Sequence, residues 1–96
     1  MTIRHQFETR RHFVLREVMQ IETMIRDLTQ TAAALQSSVI AEEARAGISD
    51  PHDAAYPILA RVLTVRRKNL KVTIDTLQHR VKTLRQFFIE HVNDAA

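Results

Sequence analysis

The side chains that could do chemistry in this 96-residue chain are five histidines, fourteen basic residues and eleven acids. His5 and His12 stand seven apart, and His91 could approach them if the chain doubled back. Helical zinc sites use a closer pair, four residues apart with a carboxylate between. No such pair is present, so solvated histidines are the better account and no metal site is expected. A phosphate-cradling loop needs several glycines, and there is one. No cysteine is present, which excludes disulfides and thiolate metal sites. No serine, histidine and aspartate fall into a nucleophile pattern. A small helical enzyme that binds a dicarboxylate needs arginines and a lysine around a polar pocket. Here the inward positions are nearly all aliphatic, so no catalytic residue, no cofactor and no enzyme activity are expected.

The basic residues carry more information. Arg61, Arg66, Arg67, Lys68 and Lys71 occur in a stretch with no acid from Ala54 to Ile74. Val62, Val65 and Val72 interleave with them at spacings of three and seven. A basic, partly apolar stripe is either a docking face for an acidic protein surface or a solvated charge run with a few stray valines. It also suits phosphates, as do Arg4, Arg10, Arg11 and Arg16. The net charge of +3 is modest and no base-reading motif is visible, so nucleic acid is the weaker alternative.

Hydrophobic periodicity supplies the elements that hold these residues. Phe7, Val14, Ile21, Leu28 and Leu35 fall seven apart, and Val18, Ile25, Ala32, Val39 and Ala46 form a second set. They alternate by four and three, the spacing of a coiled-coil seam. Arg11 and Glu42 interrupt it. A second seam follows, with Leu63, Leu70, Leu77 and Leu84 seven apart and Ala60, Ile74, Val81 and Phe88 between them. Arg67 is its polar exception.

Both prolines and the glycine lie in AEEARAGISDPHDAAYP, residues 41–57. Gly47 can take the left-handed conformation that ends a helix. Asp50-Pro51 is a helix-start signal, with Asp53 placed to reach back as a cap. Pro57 biases Tyr56 away from helical angles. The expectation is one all-α domain over residues 1–96, an antiparallel two-helix coiled-coil hairpin, the alternative being two helices that fold apart to join a larger bundle. Helix 1 covers about 3–46, a bend 47–56 with a helical turn near 51–55, and helix 2 about 57–93. Helix 2 would then be roughly 50–55 Å long. Pairing around the bend puts Leu35 near Lys68, Leu28 near Asp75 and Ile21 near Lys82, with Glu42 and Glu43 within reach of Arg61.

The hairpin gathers Phe7, Phe13, Phe87 and Phe88 at its open end beside Leu15, Ile89 and Val92. That apolar end is either a contact for a homodimer or a partner, or a closure of the fraying coil. No targeting segment is expected, because the basic N-terminal stretch never reaches an apolar run. The longest charge-free stretch, Leu28 to Ala41, is too polar to span a bilayer, so a cytoplasmic protein without membrane insertion is expected.

The run IAEEARAGISDPHDAAYP, with Arg66-Arg67-Lys68-Asn69-Leu70 after it, resembles the flagellar export protein FliJ family of alphaproteobacteria. Members show a similar acidic helix end, an R-A-G-I-x-D-P turn, an A-Y-P and an R-R-x-N-L. Gln20-Ile21-Glu22 with Met24-Ile25 is similar too, and the likeness covers roughly residues 5–90. It implies a non-enzymatic coiled-coil hairpin that docks on the export ATPase and the membrane export gate, at the periphery of the flagellar base; the alternative is a basic coiled-coil adaptor that binds nucleic acid or another protein outside the flagellar system. Family chains usually extend further at the C-terminus, so the resemblance is to a short form. They also often carry an aromatic where this chain has Ala54. The family transfers no individual binding residue. Charge and exposure nominate Arg61, Val62, Val65, Arg66, Arg67, Lys68, Asn69, Lys71 and Val72, with Phe13, Phe87 and Phe88 at the open end.

Overall fold

The computed structural model describes residues 3–95, and the side chains of residue 6 and residues 8–90. Two long helices, α1 (Ile3–Ala46) and α2 (Ile58–Ala95), form an all-α helical hairpin. Neither helix contains proline or glycine. Eight threonines lie within them, and Thr23, Thr31, Thr64 and Thr73 each donate a hydroxyl to the carbonyl four residues earlier. That bond gives a β-branched side chain a settled place on a helix.

The chain divides into two compact units. One joins the part of α1 up to Arg26 with the part of α2 from Asp75 onward; the other is the continuous stretch Asp27–Ile74.

In the first unit, Val18 and Ile21 of α1 bury against Val81 and Leu84 of α2, with Val14, Ile25 and Leu77 around them. All seven are seam residues. Two cross-helix ion pairs flank this core, Glu17 with Arg80 at 3.0 Å and Glu22 with Arg85. Both are largely exposed, so each adds little stability. The Arg11 interruption is resolved locally: its guanidinium lies 5.3 Å from the centre of the Phe88 ring. It therefore stays exposed on a seam position without burying an unpaired charge.

In the second unit, Val39, Tyr56 and Ala60 form the buried cluster, with Ile48 and Leu63 against it. Ala60 has no exposed surface. Seam residues Leu28, Ala32 and Leu35 are half-buried, as are Leu63, Arg67, Leu70 and Ile74. Ala46, counted in the seam by period alone, is exposed. It is the last residue of α1, immediately before the chain turns away.

The turn begins at Gly47, whose φ of 71° is left-handed. This lets the amides of Gly47 and Ile48 both donate to the Glu43 carbonyl, at 2.9 and 3.2 Å. Paired bonds of this kind satisfy carbonyls that a helix end leaves open. Ile48 then folds back onto the buried cluster, the apolar contact that often accompanies such a cap.

Residues 51–55 form successive hydrogen-bonded turns and not a helical turn. Asp50 accepts from the His52 amide at 2.9 Å, and Asp53 accepts from the Ala55 amide at 2.8 Å. Asp53 thus accepts from an amide ahead of it and does not reach back to the start of a helical turn as expected. A short carboxylate reaches an amide two residues ahead with little strain, which is the usual competing use of aspartate in turns. Pro57 gives its carbonyl to the Arg61 amide at 3.2 Å and so stands at the start of α2, where it loses no helical bond of its own.

Candidate docking surface

Tyr56 fixes the beginning of α2. It is 5% exposed, and its hydroxyl donates to Glu43 at 2.9 Å. Burial first, and then this bond to a carboxylate, hold the phenol above its ordinary pKa, while the nearby Arg61 charge acts the other way. The ring also carries the Arg61 guanidinium, 5.1 Å from its centre. Arg61 donates in addition to the Asp53 carbonyl at 3.1 Å.

This corrects the expected pairing of Arg61 with Glu42 or Glu43. Glu43 is taken by Tyr56, and Glu42 pairs with Arg45 at 2.7 Å. The reason is local. Tyr56 sits inside the bend, so its hydroxyl reaches the end of α1 while its ring face remains open to the cation. Arg61 is consequently held in place by two parts of the bend, the Tyr56 ring and the Asp53 carbonyl, an arrangement a heptad register does not anticipate.

Beyond Arg61 the outward face of α2 is exposed. Val62, Val65 and Val72 are 52%, 57% and 65% exposed. Arg66, Lys68, Asn69 and Lys71 are exposed as well. An open groove of about 290 Å³ lies where the bend meets α2, lined by Pro51, Tyr56, Arg61, Thr64, Val65 and Lys68. Two cations and apolar surface thus share one concavity.

Arg67 stands apart from this face. It is half-buried on the seam side, and its Nε is buried without a hydrogen-bond partner. A buried donor left unsatisfied is costly, so a change there acts on packing as well as on any partner. Ile58, which sequence reading did not nominate, is 80% exposed at the start of the same outward face. Its signal was present: it lies seven residues before Val65 and fourteen before Val72.

At the other unit, Phe13 and Phe87 are 63% and 42% exposed, and Ile89 59%. Phe88 is half-buried beneath Arg11. The side chains of Phe7, Val92, His5 and His91, named with this end of the chain, lie outside those described. A groove of about 660 Å³ runs along α2 there, with Val81, Lys82, Arg85 and Ile89 among its lining. Among the described residues, no group of three histidines or acids is placed to hold a metal ion. No helix among them is long and apolar enough to cross a membrane.

The described surface therefore offers grooves, cations and exposed aliphatic side chains. Comparison of the chain with protein-family models, with curated proteins and with solved structures gives no match.

Proposed function

We propose that this chain is a non-enzymatic coiled-coil component of flagellar type III protein export. It docks through the outward face of α2 on the export ATPase and the membrane export gate, working in the cytoplasm at the flagellar base. The observation that carries the reading is the acid-free stretch of α2, where exposed Val62, Val65 and Val72 share the exposed surface with Arg66, Lys68 and Lys71. Such a face matches an acidic partner with an apolar centre. The resemblance at the bend supports the same reading. Glu43, Gly47, Ile48, Asp50 and Tyr56 of that run each have a defined role in reversing the chain.

The test is binding to purified export ATPase. Wild-type chain binds, and the Arg66→Glu/Lys68→Glu variant loses about tenfold or more in affinity, because edge charges steer and select the partner. Arg67 is left intact, since its buried Nε would confound the result with a folding defect. Far-UV circular dichroism should be the same for both proteins. Equal binding by the two, or no binding by wild type, contradicts the proposal. A parallel salt series against RNA and duplex DNA examines the phosphate-binding alternative, which requires a steep loss of affinity with salt.

A further inference from the structure

Ile58, Val62, Val65, Asn69 and Val72 follow one another at spacings of four, three, four and three. This is a second heptad seam on α2. Helix geometry sets it on the side turned away from Ala60, Leu63 and Leu70. Those three are buried or half-buried, whereas Ile58 is 80% exposed and the three valines are all more than half exposed. The stripe lies wholly within the Asp27–Ile74 unit. Arg61 and Lys68 each precede a stripe residue by one, and Arg66 follows one, so both edges carry positive charge.

We infer that this stripe seats a third helix: an acidic amphipathic segment of another protein, with apolar residues at heptad spacing and Asp or Glu along both edges. The inference rests on the docking reading above and narrows it to one partner chemistry. A four-three run of aliphatic residues is what a helix partner interdigitates with, and it offers nothing to a phosphate backbone. A second copy of this chain would set Arg61, Arg66 and Lys68 against the same cations, which like-charge repulsion opposes. Asn69 is the one polar member of the stripe. In such a position an asparagine selects register at some cost in stability, so the partner presents a polar residue opposite it.

The bend sets where the partner helix ends. Arg61 is already ordered by the Tyr56 ring and the Asp53 carbonyl. It therefore meets an incoming carboxylate with little further loss of freedom. The groove beside it, with Lys68 and Val65 in its lining, accepts the partner's last charged side chain. From Ile58 to Val72 the stripe covers roughly 21 Å of helix axis, about four turns of partner.

The experiment uses a fluorescent synthetic peptide of about three heptads, with Leu at the seam and Glu along both edges. A twin carries Lys in place of every Glu. The inference predicts that the Glu peptide binds and that the Lys twin binds at least about tenfold more weakly. Val65→Asp should weaken the Glu peptide by about tenfold or more through the same charge mismatch. Met19→Asp, at a 68% exposed position of the other unit, should not. Val65 is itself mostly exposed, so its variant keeps the helical circular dichroism of wild type. No binding of the Glu peptide, equal binding of the twin, or indifference to Val65→Asp overturns the inference. If the peptide fails while purified export ATPase still binds, the inference alone falls. If the peptide binds and the ATPase does not, the export reading falls and the acidic-helix site stands.

Discussion

Leu84→Ala is expected to lower the unfolding free energy by about 2–3 kcal/mol. Leu84 is one of only four buried residues in the core of its unit among the described residues, with Val18, Ile21 and Val81. At 8% exposed it retains a sliver of solvent contact, which keeps the effect near the lower end for leucine truncation. Three things add. Apolar area returns to water, neighbouring side chains lose contacts, and two long helices can close only part of the gap. A chain of this length is marginally stable to begin with, so the loss is a large fraction of the total. Urea denaturation followed by circular dichroism measures it. Met24→Ala, on an exposed position of the same unit, should change stability by no more than about 0.5 kcal/mol. Equal effects at the two sites would mean that the seam is not the core.

Ala60→Leu is expected to destabilise by about 1–3 kcal/mol for the opposite reason. Ala60 is fully buried, between Val39 of α1 and Tyr56 of the bend. A leucine in a generic heptad would strengthen the seam. Here its extra carbons have no space, so Tyr56 must move. Movement of Tyr56 would also disturb its bond to Glu43 and the platform under Arg61. The variant should therefore weaken partner binding as well as stability, whereas Leu84→Ala should reduce stability alone. A more stable Ala60→Leu protein would show that the bend is packed less closely than described.

The helical hairpin was legible because its determinants are short in range and repeated. Val18, Ile21, Val39, Val81 and Leu84 were nominated by period alone, and all are buried. Gly47 was legible because few residues accept a left-handed φ, and its two bonds to Glu43 follow from that conformation. What sequence could not settle was the choice among several competent partners. Glu42, Glu43, Asp53, Tyr56 and Arg61 all come close at the bend, and register cannot rank the available bonds. Tyr56 prevails for Glu43 because it is buried there, and Arg61 takes the ring and a backbone carbonyl instead.

The candidate docking face was legible in part. The basic residues and three valines were evident as a charge run. The heptad order of the stripe emerges only when Ile58 joins it, and Ile58 at a helix start could equally have closed the bend. Arg67 illustrates the reverse. Charge placed it with Arg66 and Lys68, but its period set it on the seam, and its side chain follows the period. Where one residue satisfies both a charge pattern and a packing pattern, packing decides its direction, because the period is fixed by helix geometry and the charge is not.

The most direct test of the account places a photo-crosslinking amino acid at position 65, and separately at position 19, in cells that carry this chain. The account predicts a light-dependent adduct between the position-65 protein and the export ATPase or an export-gate protein, identified by mass spectrometry, and none of these from position 19. Adducts with neither partner at position 65, or the same adducts from position 19, would contradict it.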